Sequence, residues 1–225
     1  SEALTRGHLK TEILLGREDN EPDYAVQLFG SDPDTMGRAA AMVEARWKPA
    51  LIDLNCGCPV PKIVRTGAGS SLMRDPGRIR DIVAAMKAAV RVPVTAKIRL
   101  GWDDSSINYL EAAAAAVEGG ASALTLHART REQGYSGRAD RSAFYRLAAA
   151  VPVPVLASGD LFSAADALAI LSGPEEGQAG AGVAGVMFAR GAMGDPFIFS
   201  RARAALEGRP EPTIGAGERL AAARR

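Results

Sequence analysis

Cys58 carries the greatest chemical potential in this chain. It lies in the run Asp53-Leu54-Asn55-Cys56-Gly57-Cys58-Pro59, directly after a short apolar stretch. A thiol with an ordinary pKa of about 8.5 is mostly protonated at neutral pH and can donate a proton. Two other readings stand beside that one, a buried packing cysteine or half of a metal site. Metal-binding pairs usually leave roughly two to four residues between ligands. Here only Gly57 separates Cys56 from Cys58, and the chain holds 2 histidines, so no metal site is expected. Spacing alone leaves Cys58 open between a chemical and a structural role. Cys56 is expected to pack as a small hydrophobe.

Lys97 lies in Val94-Thr95-Ala96-Lys97-Ile98-Arg99-Leu100, on the polar parity of a strand pattern. A lysine facing inward needs an anion, an electron-rich ring or a carbonyl to meet, or else an internal ion pair with Asp53. His127 has the same placement in the next strand pattern, where a satisfied core histidine is the plain alternative. Gln27 offers both a donor and an acceptor, suited to the edge of a heterocycle. Two short glycine loops, Ser158-Gly159-Asp160 and Ala189-Arg190-Gly191, follow strand patterns near the end of the chain. Backbone N–H groups in such loops bind phosphate, and Arg190 adds a fixed positive charge.

These residues need elements to position them. Strands are predicted at Tyr24–Phe29, Leu51–Asn55, Val94–Leu100, Ala123–Ala128, Val155–Ser158 and Gly185–Phe188, with helices between them. Asp32-Pro33 and Asp75-Pro76 each read as an N-cap followed by proline at the first helical position. Ser142 and Ser163 are the expected caps of two later helices. The helix after Pro76 is predicted to bury Ile79, Ile82, Val83, Met86 and Val90, and a later one Leu110, Ala113, Ala114 and Val117. Residues 173–182 read as a connector at the bottom of the fold.

Alternating strand and helix implies a parallel sheet with helical crossovers. In each strand one parity is oily and the other ends in a polar group at the C-terminal tip. An open sheet covered on both faces would be apolar on both parities. The expected fold is therefore an α/β TIM (β/α)8 barrel with polar side chains converging at its mouth. Only six of eight strands are found, so an incomplete barrel is expected, lacking its first two strands.

Composition constrains the rest. The chain has 225 residues, 47% of them hydrophobic, which suffices for one sizeable core. A net charge of +1 announces no nucleic-acid binder, so any RNA contact must come from local arginine and lysine clusters. Two cysteines exclude a disulfide framework, and no run is long and apolar enough for a membrane span. No signal peptide is read at the start. A cytoplasmic monomer, with no membrane or metal partner, is expected.

Taken together, the segments resemble the tRNA-dihydrouridine synthases, in the bacterial B-type pattern. The matching stretches are Gln27-Leu28-Phe29-Gly30, Asp53-Leu54-Asn55 with Gly57-Cys58-Pro59, and Gly67-Ala68-Gly69-Ser70. They continue with Ala96 to Trp102, Leu126 to Arg131, and Gly185-Val186-Met187 leading to Arg190-Gly191-Ala192. The resemblance covers nearly the whole chain in order. It implies a barrel that binds FMN, uses NADPH as reductant and reduces uridine in tRNA to 5,6-dihydrouridine. Gln27, Lys97 and His127 would contact the flavin ring. Ser158, Gly159, Asp160, Ala189 and Arg190 would hold its phosphate end, and Cys58 would be the proton donor. The sequence departs from the family at two of these positions, where asparagine is usual for Ser158 and glycine for Ala189.

On this reading residues 1–207 form the flavin-binding barrel, N-terminally truncated. Residues 208–225 form a linker and the start of a C-terminal helical tRNA-binding domain. Asn55, Lys62, Arg65, Arg129, Arg131 and Tyr135 are the candidate substrate contacts, with Arg74, Arg138 and Arg141 as further cations on the same face. Two alternatives remain. Lys97 could serve a Schiff-base aldolase, or the chain could be a non-catalytic RNA-binding barrel fragment.

Overall fold

The structure is a computed structural model, and it describes residues 2–5, 15–16, 23–174 and 180–223. Six parallel strands run in sequence order through one sheet: β1 (Ala25–Leu28), β2 (Leu51–Asn55), β3 (Val94–Arg99), β4 (Leu124–His127), β5 (Val155–Ser158) and β6 (Gly185–Met187). Helices connect successive strands, giving an incomplete (β/α) barrel, as the alternating pattern predicts. Most strands are a residue or two shorter than their sequence patterns.

The two strand parities part as expected. Val26, Leu28, Ile52, Leu54, Val94, Ala96, Ile98, Leu124 and Leu126 are buried beneath the helices. Burying one such aliphatic side chain is worth about 2 kcal/mol, so this layer holds the sheet to its helices. The other parity lines an inner cavity. The helix Pro76–Ala89 starts where Asp75 accepts the Arg78 N–H, and it buries Ile79, Ile82, Val83 and Met86. Asp32 caps the helix Pro33–Trp47 in the same way, accepting from Thr35.

Two local expectations are corrected. The helix Tyr109–Glu118 buries Tyr109, Ala112, Ala113 and Ala116, while Leu110 stays 43% exposed. Its apolar stripe is displaced because alanine gives little contrast between faces and the large Tyr109 takes the inward position. The helix Arg141–Ala150 is capped by Asp140, not Ser142. The Asp140 carboxylate accepts from both the N–H and the hydroxyl of Ser142, so the serine is a donor inside the first turn. Ser163 does cap its helix, accepting from Asp166. The expected connector at residues 173–182 falls partly on residues 175–179, outside the described residues.

Register turns this sheet into a site. Gln27, Asp53 and Thr95 are level neighbours across β1, β2 and β3. Above them, Asn55, Lys97, Thr125 and Leu156 form a second row. Arg99, His127, Ser158 and Met187 form a third at the strand ends.

Candidate active site

The three rows face one cavity of about 740 Å³, lined by Gln27, Asn55, Cys58, Lys97, His127, Tyr135, Ser158, Gly159, Asp160, Ala189 and Arg190 among others. This volume lies in the range of small-molecule and cofactor sites. Seven of the nine residues expected to act in catalysis or hold a cofactor come from strand ends or the loops just beyond them. Gln27 and Lys97 reach the cavity from within β1 and β3. Of the candidate substrate contacts, Asn55 and Tyr135 also line it. Lys62 and Arg65 lie in and after the short helix Pro61–Val64 beyond the cysteine loop and are not among the lining residues.

The cavity floor is a chain of hydrogen bonds. Thr95 Oγ1 and Gln27 Nε2 both donate to the Asp53 carboxylate, at 2.6 and 2.7 Å. Asn55 Nδ2 donates to Gln27 Oε1 at 2.6 Å. Asn55 Oδ1 then accepts the backbone N–H groups of Gly57 and Cys58. Both amide side chains are thereby oriented, because a carboxylate can only accept. Burial pushes the Asp53 carboxyl up, against the pull of the bonds from Thr95 and Gln27 and the charge of Lys97. Among the described residues Asp53 forms no salt bridge with Lys97, so the internal ion pair is not made.

The Lys97 ammonium forms no hydrogen bond or ion pair among the described residues. Burial lowers its pKa to about 8, helped by the Arg99 charge and opposed by Asp53. Burial also lowers His127 to about 3, reinforced by Arg99, Lys97, Arg129 and Arg190. His127 is thus a neutral imidazole with one N–H donor, and its ring makes no hydrogen bond among the described residues. An ammonium and an imidazole with no hydrogen-bond partner among the described residues therefore line one cavity. Cys58 is partly exposed beside them, while Cys56 is fully buried and burial pushes its thiol up.

Arg99 was not singled out from the sequence, yet it underpins the cysteine loop. It is 3% exposed and donates to the carbonyls of Gly57 (2.7 Å), Thr130 (2.8 Å) and Gly134 (3.1 Å). Its parity with Lys97 was the available signal. Thr95 and Asp53 were legible in the same way.

Arg129 departs from the expectation of a substrate contact. It is 1% exposed, and one of its nitrogens donates to both oxygens of Asp160 at 2.7 and 2.8 Å. Further bonds go to the carbonyls of Ser136 and Gly137. The cause is position: Arg129 lies just past β4 and turns inward to brace the next loop. Arg131 is half-buried and lies over Trp102.

Asp160 also receives the Ala139 N–H at 2.9 Å and lies 3.3 Å from Arg190. Burial raises its carboxyl, but the Ala139 N–H and the charges of Arg129 and Arg190 outweigh that and hold it below the ordinary range. Its side chain is thus committed to protein partners. Arg190 spans the mouth, 4.4 Å over the Tyr135 ring and 5.2 Å over Phe162.

The two glycine loops pack closely on their neighbours. Gly159 has φ +121°, and a Cβ there would stand 3.1 Å from the His127 ring. A Cβ on Gly191 would stand 2.1 Å from the Leu161 carbonyl oxygen. Only glycine allows either approach. Ala189 has a negative φ, so its methyl is accommodated without the left-handed strain that would demand glycine. Among the described residues the backbone N–H groups of Gly159, Asp160, Arg190 and Gly191 donate to no protein acceptor, which leaves them available to an anion.

Parallel strands, a polar mouth at their C-terminal ends and paired glycine loops define a barrel of the ligand-binding (β/α) class. The dihydrouridine synthase (Dus) family matches residues 1–225, and the chain belongs to that family. It is 45% identical over 212 residues to a probable tRNA-dihydrouridine synthase of Treponema pallidum, covering 90% of this chain and 60% of that protein. It is 44% identical over 202 residues to the tRNA-dihydrouridine(16) synthase of Cupriavidus necator, covering 88% and 60%. A probable tRNA-dihydrouridine synthase 1 of Synechocystis is 44% identical over 192 residues, covering 85% and 52%. The chain thus spans between half and three-fifths of these relatives. Among solved structures, a putative mandelate racemase/muconate lactonizing enzyme from Roseovarius nubinhibens shares the fold. Its TM-score is 0.52 at 18% identity, over 98% of this chain and 54% of that one.

Proposed function

We propose that this chain carries the catalytic barrel of an FMN-dependent, NADPH-linked enzyme that reduces uridine in tRNA to 5,6-dihydrouridine. The observation that carries the reading is the meeting of Cys58, Lys97 and His127 around one cavity, with free backbone donors at its far side. Family membership and the names of the relatives support the substrate. The residues present suit a flavin mononucleotide. Among the described residues the Lys97 ammonium and the His127 ring make no hydrogen bond where an electron-rich ring would lie, and the loops at Ser158–Asp160 and Ala189–Arg190 offer N–H groups and a guanidinium to a phosphate.

When bound, the reduced flavin supplies a hydride for C6 of the uracil. The protein must do the rest. Cys58 donates its Sγ proton to C5, so that one hydride and one proton together saturate the C5–C6 double bond. The thiolate then regains a proton from solvent. The Lys97 ammonium and the neutral His127 N–H stabilise negative charge developing on the ring carbonyls. Asn55 holds the cysteine loop in place through its two accepted N–H bonds. The target uridine leaves its stack to enter the cavity, as other bases do when enzymes modify them.

The test is dihydrouridine formation in unmodified tRNA supplied with the protein, FMN and NADPH. Product that depends on all three is expected, and no product with all three present, or the same yield without FMN, overturns the reading. The low pKa of Lys97 also suits a Schiff base. Borohydride trapping of a carbonyl compound on Lys97 would favour that second reading.

A further inference from the structure

We propose that Arg74, Trp102 and Arg131 form a second RNA-binding site, which holds the ribose-phosphate strand flanking the uridine that enters the cavity. This rests on the tRNA reading above. The three residues lie past the C-terminal ends of three successive strands, on the same face as the cavity. Arg74 ends the short 3₁₀ turn Gly69–Arg74 after β2, Trp102 follows β3 and Arg131 follows β4.

The site is assembled by backbone bonds between loops. The Arg131 N–H donates to the Gly101 carbonyl and the Glu132 N–H to the Trp102 carbonyl, both at 3.0 Å. Asn108 Nδ2 donates to the Met73 carbonyl at 2.6 Å. The guanidinium carbons of Arg74 and Arg131 lie 4.9 and 4.6 Å from the indole centroid. Two like charges are therefore held against one ring, where each is attracted to the π face. Among the described residues neither guanidinium makes a hydrogen bond or an ion pair, in contrast to Arg99 and Arg129 nearby. The Nε of Arg131 is buried without a partner. Fixed, unneutralised guanidinium groups on a nucleic-acid face fit phosphate oxygens.

A cavity of about 400 Å³ opens beside the stack, lined by Arg74, Trp102, Asp103 and Ser106 among others. Asp103 specifies the ligand further. Its Oδ1 accepts from the Ser105 N–H, the Ser105 hydroxyl and the Ser106 hydroxyl, and the serine hydrogen bonds hold its carboxyl below the ordinary range. Its Oδ2 accepts nothing among the described residues. A bare anion would meet this carboxylate's repulsion. A ribonucleotide strand presents phosphate to the arginines and a 2′-hydroxyl to Asp103, so RNA fits better than DNA or free phosphate.

The site is also coupled to the cysteine loop. The Ser70 N–H, in the turn that ends at Arg74, donates to the Cys58 carbonyl at 3.0 Å. Arg99, three residues before Trp102, donates to the Gly57 carbonyl. A strand delivering its base to Cys58 has this rim beside it.

The test titrates unmodified tRNA, a DNA strand of matched length and inorganic phosphate against wild-type protein and the Arg74→Gln, Arg131→Gln and double variants across a salt series. For tRNA, each substitution should weaken binding several-fold and reduce the slope of log Kd against log salt by about one. FMN affinity should not change. Asp103→Asn should narrow the preference for RNA over DNA. Arg74 is exposed and unpaired, so Arg74→Gln alone decides the matter if Arg131→Gln fails to fold. Wild-type affinity and slope in folded variants overturn the site. If those variants bind normally while wild-type protein still forms dihydrouridine, only this site falls. If wild-type protein binds tRNA through these arginines but forms no dihydrouridine, the catalytic reading falls and the site stands.

Discussion

Asn55 and Cys58 are joined by a hydrogen bond of 2.9 Å, in which the Cys58 backbone N–H donates to the Asn55 side-chain carbonyl. The same oxygen accepts from Gly57 at 3.0 Å. Through Gln27 and Asp53 the cysteine loop is thus tied to the floor of the barrel. The position of the thiol is a property of the sheet and not only of the loop.

Replacing Asn55 with alanine removes that tie. Two loop N–H groups lose their acceptor, and Gln27 loses a donor. A stability loss of about 1–3 kcal/mol is expected, because the groups are only partly able to turn to water. The loosened Cys58 should react faster with iodoacetamide. Cys56 is fully buried and should stay unmodified in the folded protein, so mass spectrometry should count one labelled thiol. A labelling rate equal to wild type would show that the loop holds its shape without Asn55.

His127 imposes a pH dependence on stability. Its pKa falls from an ordinary 6.5 to about 3 in the folded chain, chiefly through burial. Between those values the unfolded chain binds the proton and the folded chain does not. Stability is therefore full above pH 6.5 and is lost as pH falls towards 3, at up to about 1.4 kcal/mol per pH unit from this group. Denaturation of wild type and His127→Gln should diverge progressively below pH 6.5, with the variant losing less. Parallel curves over that window would mean that His127 titrates normally.

How far the site could be foreseen depended on which physical signal each residue carries. Lys97, His127 and Gln27 were legible because strand side chains alternate, and parity alone assigns them to the inner face. Asp75 and Ser163 were legible because capping residues have fixed relations to the turn that follows. Register was not legible. Nothing in the local pattern shows that Gln27 lies level with Asp53, or His127 with Ser158, because strand pairing sets those relations. Arg129 misled for a related reason. It stands past the end of β4, where alternation no longer predicts direction, and its partner Asp160 is 31 residues away. Leu110 misled because an alanine-rich helix has two faces of nearly equal hydropathy.

The Arg129–Asp160 pair is predicted to be a structural brace. Arg129→Leu leaves Asp160 without its main cation and frees the carbonyls of Ser136 and Gly137. Breaking a buried pair from one side costs about 3–5 kcal/mol, and the partial exposure of Asp160 places this case at the lower end. The thermal midpoint should fall by several degrees. Asp160→Asn added to Arg129→Leu should cost less than the sum of the single changes, because the second removes a charge already stranded. Strict additivity would show that the two residues do not act as a pair.

Lys97 should trade stability for function. Its pKa is lowered from 10.5 to about 8, so the folded chain releases the proton before the unfolded one does. Stability from this group is full above pH 10.5 and declines as pH falls to 8. At pH 7 the buried charge costs up to about 3 kcal/mol, less what partial solvent exposure returns. Lys97→Met should therefore raise the melting temperature of the ligand-free protein at pH 7, and the gain should shrink above pH 9. The same variant should lose dihydrouridine formation, since the ammonium is gone from the cavity. A lower melting temperature would show that Lys97 has a stabilising partner in solution.

Cys58→Ala separates proton donation from every other step. The thiol makes no side-chain hydrogen bond among the described residues, while the loop is held by backbone bonds to Asn55, Ser70 and Arg99 that do not involve its sulfur. Removing the sulfur should leave the fold, the flavin affinity and NADPH-dependent flavin reduction intact. Reduction of tRNA should fall by about 100-fold or more, the usual contribution of a positioned general acid. Single-turnover mixing of pre-reduced protein with tRNA isolates the step. Flavin reoxidation by tRNA at the wild-type rate would assign the proton to another group, and Lys97, an ammonium lining the same cavity, would be the next to replace.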